Sequence, residues 1–254
     1  MTMNRIRVTV WNEFRHEKSK EEVKAIYPNG LHAVIKEFLD EDETLEVRLA
    51  ALDDPDNGLP EEVLNTTDVL VWWDHCARAE VPDALAEKIR ARVYEGKMGF
   101  IALHSSHRSK AFCSIVGTNG NLSWGSNRKE VIWNVFPSHP IAKGIPAHFT
   151  LEEEELYCEP FYIPQPDELV FNGWYEGGYV FRSGACFYRG AGKVFYFQPG
   201  HESCRSFYNV YVRKIINNAV HWAAPAEFGY EVPEKCTKVF DAATDTESVY
   251  VEKE

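Results

Sequence analysis

Histidines follow short apolar runs at four separate places in this 254-residue chain. His16, His75 and His201 each come within a few residues of such a run, and His104 and His107 stand together after another, in the segment HSSH. Imidazole titrates near neutral pH and is a common ligand of transition metals, although a single histidine at a strand end is more often a hydrogen-bonded structural residue. The repeated pattern therefore predicts a histidine-rich site for metal binding or for acid–base chemistry.

Candidate roles follow from the chemistry of the residues around these histidines. Acid–base roles are predicted for His104, His201, Glu155 and Tyr157. The last two belong to the run EEEELY at 152–157, which also offers Glu154 and could instead be a solvated acidic strand. The predicted ligands of a divalent metal, with zinc as the expected ion, are His75, His104 and His201. The residues expected to contact the substrate are Asn12, Glu13, His16, Ser105, His107 and Glu202.

The segment GFIALHSSHRS also fits a different chemistry. A strand, a sharp turn and a helix form the nucleophile elbow of serine hydrolases, and here the turn would hold Ser105 or Ser106. His201 and Glu202 would complete a triad. The glycines of the G-x-S-x-G motif are absent, however, and no cysteine stands at the turn. The pattern therefore favours hydrolase chemistry less than metal or acid–base chemistry.

The elements that must position these residues alternate between strand and helix over the first 117 residues. The predicted strands are Ile6–Trp11, Leu45–Leu52, Asp68–Trp73 and Met98–Leu103. Helical spacing of apolar residues separates them, for example in LHAVIKEFL from Leu31 onward. This alternation predicts a flavodoxin-like α/β fold, a parallel sheet flanked by helices. Because ligands bind at the carboxyl ends of such strands, the histidines are expected at one edge of the sheet.

The second half of the chain has a different pattern. Residues 118–165 are rich in Trp, Asn, Glu and Pro and predict a β-rich insertion within the same domain. Three further strands are predicted, namely Leu169–Trp174, Tyr179–Arg182 and Lys193–Phe197, followed by a helix over Val210–Trp222. The expected organisation is one α/β domain over residues 1–224 and a C-terminal arm over 225–254.

Composition limits the partners of the protein. The formal net charge of −12 disfavours nucleic acid, because an acidic surface repels phosphates. No apolar run approaches the roughly 18 residues of a membrane helix, so no membrane partner is expected. The six cysteines form no CxxC pair, which is typical of free thiols in a reducing compartment and favours a cytoplasmic location. The aromatic-rich insertion and the arm predict a homo-oligomer.

Several segments together resemble the trehalose-utilisation, ThuA-like family over residues 5 to about 224. They are VTVWNEFRHEK, VLVWWDHC, GFIALHSSHRSKAF, SHPIAKGI, EEEELY and KVFYFQPGHE. The resemblance implies a class I glutamine amidotransferase-like fold and a role in sugar catabolism. It also implies loss of glutaminase activity, because the elbow cysteine of amidotransferases is absent, while His201 and Glu202 stand where their partner residues would be. Where the family commonly has a second histidine after the WW-x-H stretch, this chain has Arg78 or Ala79.

Two main functions remain open at this level. The first is an enzyme that acts on a keto-sugar or disaccharide by metal-assisted acid–base chemistry, such as isomerisation or β-elimination, with a small-molecule sugar as partner. The second is a non-catalytic sugar-binding or regulatory protein on a retired amidotransferase scaffold. Sugars would stabilise the protein in both cases, but only an enzyme would convert one.

Overall fold

The structure, a computed structural model, describes residues 5–226. Its strands, in chain order, are β1 (Ile6–Asn12), β2 (Leu45–Ala51), β3 (Val69–Trp73), β4 (Gly99–Leu103), β5 (Ser123–Asn134), β6 (His148–Cys158), β7 (Glu168–Tyr175), β8 (Tyr179–Arg189) and β9 (Gly192–Phe197). Its α-helices are α1 (His16–Ser19), α2 (Glu21–Ile26), α3 (Leu31–Leu39), α4 (Glu61–Asn65), α5 (Asp83–Tyr94), α6 (Lys110–Val116) and α7 (Val210–Ala223). Most of the predicted C-terminal arm lies outside the described residues, so the arm stays a prediction.

All nine strands form one sheet in the order β2-β1-β3-β4-β9-β8-β7-β5-β6. The first five of these are parallel to one another, which confirms the predicted α/β fold with a parallel sheet. Four neighbouring strands, β1, β3, β4 and β9, therefore end side by side at the same edge. This edge is where the sequence predicts the candidate site.

Helices cover both faces of the parallel half, as the strand sequences require. Alternate residues of a strand face opposite sides of the sheet, so Val8 and Val10 of β1 pack in one core with helices α3 and α7. Trp11 packs in the other core with α5 and α6, where its ring stacks on Trp72 at a centroid distance of 3.7 Å. Strands that are apolar on both faces read as continuous hydrophobic runs, which is the pattern of DVLVWW.

The predicted β-rich insertion is an extension of the same sheet. Strands β5 and β6 pair with each other, and β5 also pairs antiparallel with β7, so the segment continues the sheet through β8 to β9. The predicted turn at Gly177 and Gly178 is confirmed, and both residues have the positive φ that glycine tolerates best. Strands β5, β6 and β8 are longer than the short strands predicted. Most residues of β5 are exposed or half-buried and its pairing with β6 contains register shifts, so the alternation of apolar and polar residues that indicates a strand is interrupted in its sequence.

Among residues 5–226, no helix is long and apolar enough to cross a membrane.

Candidate functional site

The histidines that follow four strands come together at the carboxyl edge of the parallel half. Ring centroids are 4.9 Å apart for His16 and His75, 6.1 Å for His75 and His201, and 5.2 Å for His201 and His104. His16 begins α1 after β1, and the others follow β3, β9 and β4. The predicted convergence of these imidazoles is thus confirmed.

Glu202 lies at the centre of one half of this cluster. Its carboxylate oxygens are 2.7 Å from His16 Nδ1, 3.4 Å from His75 Nδ1 and 3.3 Å from His201 Nε2. Lys20 Nζ is 3.3 Å from the same carboxylate. Burial by itself raises the pKa of Glu202, but the contacts from His16 and His75 outweigh it and hold the pKa well below its usual range. Glu202 is therefore an ionised carboxylate among imidazoles.

Three ligand atoms in this half have no well-aligned hydrogen bond although they are buried. They are His16 Nδ1, His75 Nδ1 and Glu202 Oε2. The corresponding ligand atoms of His16, His75 and Glu202 all lie within 4.8 Å of one another, which is a spacing that could hold a metal ion. Two imidazoles and a carboxylate form a common donor set for a divalent transition metal.

His104 organises the other half of the cluster, where its two ring nitrogens are both in hydrogen-bond contact. Nδ1 is 2.8 Å from the carbonyl of Gln198 and so carries a proton. Nε2 is 3.1 Å from Glu155 Oε2 and 3.2 Å from the hydroxyl of Tyr157, whose ring stacks on the imidazole. Burial lowers the pKa of His104, but the hydrogen bond to Glu155 and the charges of Glu154 and Glu155 outweigh it and raise the pKa. The geometry therefore favours an imidazolium paired with a carboxylate.

His201 has the opposite environment. The backbone N–H of Ser203 donates to His201 Nδ1 over 3.2 Å, so the tautomer assigned from this contact carries its proton on Nε2. Burial, followed by the positive charge of His104, lowers the pKa of His201 to about 4. His201 is therefore neutral at physiological pH and presents Nε2–H toward Glu155 and Glu202, at 3.7 Å and 3.3 Å.

The three predicted metal ligands are consequently divided between the two halves. His75 belongs with His16 and Glu202, whereas His104 and His201 group with Glu155. Both nitrogens of His104 are engaged, and Nδ1 of His201 accepts a backbone N–H. Of the three, His75 alone keeps a buried nitrogen without an aligned hydrogen bond.

Two buried carboxylates accept hydrogen bonds from the backbone of the loops that carry the histidines. Glu13, predicted to contact substrate, accepts the N–H groups of His75, Cys76 and Ala77 at 2.7–2.9 Å and is fully buried. Burial raises the pKa of Glu13, but these hydrogen bonds outweigh burial, and the pKa is lower than its usual value. Glu154 accepts the N–H groups of residues 200 and 201. These carboxylates position the loops that carry His75 and His201.

Other predicted contact residues are also engaged inside the protein. Asn12 is buried and donates to Glu17 Oε1 over 2.7 Å. The Ser105 hydroxyl donates to the carbonyl of Asp74, and His107 Nδ1 contacts the carbonyl of Gly120, both over 2.5 Å. Ser106 donates to the carbonyl of residue 72 over 3.0 Å. The residue with positive φ at the elbow is His104, at 49°, so neither serine takes the position of an elbow nucleophile.

A cavity of about 390 Å³ opens onto the cluster. The predicted site residues that line it are His75, His107, Glu155, Tyr157, His201 and Glu202. The remaining predicted residues are buried outside this lining, namely Asn12, Glu13, His16, His104 and Ser105. The lining residues to which the sequence assigns no role are Lys20, Arg78, Arg108, Asn121, Leu122 and Trp124. In the sequence, the position of Arg108 directly after the HSSH segment could have indicated that it lies at the site. Trp124 is 73% exposed in the structure, and its residue type was the only sequence signal for a role in binding.

Solved structures of low sequence identity share this fold. A putative ThuA-like protein from Parabacteroides merdae has a TM-score of 0.67 and 14% identity, covering 91% of this chain and 94% of its own. A putative ThuA-like protein from Bacteroides uniformis has a TM-score of 0.62 and 13% identity, covering 87% and 92%. A cytoplasmic protein of Salmonella typhimurium has a TM-score of 0.60 and 15% identity, covering 86% and 99%.

Comparison with curated proteins gives no match. The sequence model of the ThuA family, described as trehalose utilisation, matches residues 7–223. That range contains the whole sheet except Ile6, the first residue of β1, and every residue of the histidine cluster. The chain therefore belongs to the ThuA trehalose-utilisation family.

Proposed function

We propose that this protein performs metal-assisted acid–base chemistry on a sugar, with a divalent metal held by His16, His75 and Glu202. The observation that carries the proposal is the convergence of buried donor atoms without aligned hydrogen bonds. The polar contacts of His16 Nδ1 and His75 Nδ1 are with Glu202, without aligned hydrogen bonds, and one cation between them would satisfy all of these atoms at once. Zinc suits the imidazole and carboxylate donors best.

The acid–base work in this proposal belongs to the other half of the cluster. A bound metal would polarise the carbonyl of a keto-sugar and acidify the neighbouring carbon. Glu155 faces the cavity as an ionised carboxylate and can accept that proton, while protonated His104 behind it balances the charge. His201 offers Nε2–H, as a neutral donor, to an oxygen that gains negative charge. These roles suit isomerisation or β-elimination.

Glutaminase activity is not part of the proposed function. The residue at the elbow is an imidazole rather than a thiol, and His104 is committed to Gln198 and Glu155. Serine hydrolase chemistry is disfavoured for a related reason, because the hydroxyls of Ser105 and Ser106 donate to backbone carbonyls.

The alternative is a non-catalytic sugar-binding or regulatory protein. Its support is that His104 is fully buried and that several polar residues near the cavity are committed to structural hydrogen bonds. The family description as trehalose utilisation fits both the enzyme and the binding protein.

Elemental analysis of the purified protein tests the metal proposal. We expect about one divalent metal per chain, and we expect His75→Ala and Glu202→Gln to lose it. His104→Ala should keep the metal, because His104 is placed outside the ligand set. His148→Ala is the matched control, since His148 is exposed at the start of β6 and distant in the chain from the proposed ligands.

The outcomes separate the hypotheses. A folded, metal-free wild-type protein, or a Glu202→Gln variant that keeps its metal, would contradict the proposed centre. Metal-loaded protein that binds sugars but returns them unchanged would support the non-catalytic alternative.

A further inference from the structure

The cavity is lined by basic residues as well as by the histidines and carboxylates. Arg78 and Arg108 both line it, as do His107 and Trp124. Burial is the main reason that the pKa of His107 falls to about 3, and the positive charges of Arg78 and Arg108 also lower it. His107 is therefore a neutral ring close to two guanidinium groups.

The charge of these arginines is only partly balanced within the protein. Arg108 is exposed, and its side chain has no hydrogen bond or ion pair with any other residue in the range 5–226. Arg78 donates to the Ser105 carbonyl over 3.0 Å, and its nearest carboxylate, Asp74, is 3.8 Å away. This distance is longer than a hydrogen bond, and Arg78 Nε has no hydrogen-bond partner in the described part of the chain.

The carboxylates of the cavity are committed elsewhere. Glu155 is 3.1 Å from His104, and Glu202 is surrounded by His16, His75 and Lys20. Two arginines thus keep positive charge at a cavity of a protein whose formal net charge is −12. Guanidinium groups recognise carboxylates and phosphates through paired hydrogen bonds, and more strongly where solvent is partly excluded.

We infer that the ligand of this cavity is a sugar with an anionic substituent, a carboxylate or a phosphate, bound by Arg78 and Arg108. The sugar ring would then lie toward the histidine cluster, with the exposed Trp124 ring as a stacking surface at the cavity mouth. This inference rests on the proposed function in one respect, because both place a sugar in the same cavity. It narrows the substrate class, because trehalose and glucose carry no such group.

Calorimetric titration with three probes tests this inference at constant ionic strength. D-Glucuronate carries a carboxylate, glucose 6-phosphate carries a phosphate, and glucose is neutral. At least one anionic sugar is expected to bind wild-type protein about tenfold more tightly than glucose, which corresponds to about 1.4 kcal/mol. The better of the two anionic probes identifies the substituent.

Variants locate the effect. Arg108→Gln should weaken binding of the preferred anionic sugar at least fivefold and leave the affinity for glucose unchanged. Arg90→Gln is the matched control, because Arg90 is a partly exposed arginine on α5, paired with Glu87 and absent from the cavity lining. It should change neither affinity.

Two results would overturn the inference. One is that neither anionic sugar binds more tightly than glucose, including the case in which neither binds at all. The other is that Arg108→Gln changes all affinities equally or not at all. The titrations are repeated after chelator treatment and read binding rather than turnover, so they succeed or fail independently of the metal content that tests the proposed function.

Discussion

At the scale of single residues, hydrogen bonds assign different proton states to two imidazoles whose centroids are 5.2 Å apart. His104 donates through Nδ1 to a carbonyl and faces the carboxylate of Glu155 through Nε2. His201 accepts a backbone N–H at Nδ1 and has a pKa of about 4, chiefly because of burial. Neighbouring groups whose environments push their pKa values apart can divide acid and base roles between them.

Glu155→Gln tests this assignment directly. The hydrogen bond and charge of Glu155 raise the pKa of His104 against the effect of burial, so removing the charge should lower that pKa. Titration of the His104 ring resonances by NMR measures the change.

Glu153→Gln serves as the control for this titration. Glu153 is an exposed neighbour on β6 whose carboxylate contacts Asn127, so its replacement should leave the pKa of His104 nearly unchanged. A His104 pKa that does not move in Glu155→Gln would show that the pair is not coupled as described.

At the scale of elements, residues far apart in sequence fix the ends of the strands and helices that surround the site. Glu13 ties the chain after β1 to the loop after β3, and Glu154 of β6 ties the antiparallel half to the loop after β9. On the opposite side of the fold, Asp42 in the α3–β2 connection contacts His221 and Asn217 of α7 at 2.9 Å and 3.2 Å.

The Asp42 contact predicts a pH-dependent contribution to stability. Burial raises the pKa of Asp42, but hydrogen bonds from Thr44, His221 and Asn217 outweigh it and lower the pKa well below its usual value. The ionised carboxylate therefore stabilises the folded protein above the unfolded-state pKa of about 4, and this stabilisation is lost as pH falls through the lower folded-state value.

Asp42→Asn should consequently lower the free energy of unfolding by about 1–2 kcal/mol at pH 7, and by less as the pH falls below about 4. Urea denaturation across this pH range measures the difference from wild type. Glu37→Gln, an exposed change on α3, is the control and should show no such trend. A difference that stays constant down to acidic pH would contradict the assignment.

At the scale of the whole molecule, the antiparallel half carries exposed aromatic side chains that its own core does not use. Trp133 of β5 and Trp174 of β7 are 44% and 41% exposed, and Val180 of β8 is 53% exposed. Trp174 pairs with Val180 across the ladder and lies opposite Val131 of β5. Contiguous exposed apolar surface often marks a protein–protein contact, and the homo-oligomer predicted from the aromatic-rich insertion remains our proposal.

Light scattering coupled to size exclusion tests this proposal. We expect wild-type protein to elute as an oligomer and Trp174→Glu to dissociate, because a charge in an apolar contact loses its hydration without gaining a partner. Trp124→Glu is the control, since Trp124 is exposed at the cavity mouth, and it should leave the mass unchanged. A monomeric wild-type protein would contradict the proposal.

The sequence by itself determined the parallel half of the sheet and the edge at which the histidines meet. The alternation of strands and helices makes β1, β3 and β4 parallel, so the residues that follow them lie at one edge of the sheet. His75 and His104 therefore lie at this edge, and this placement does not depend on the contacts of their side chains. The apolar runs are local signals, and this is why the strand bounds agreed within a few residues.

Only the tertiary structure decided what each polar group does there. Glu13 and Ser105 stand beside the histidines in sequence, yet they face backbone groups of loops some 30 to 60 residues away in the chain. Arg108 and Trp124 reach the cavity because distant segments fold around it. Hydrogen-bond partners, desolvation and hence proton states depend on atoms brought together across the fold, and the periodicity of a sequence carries no information about them.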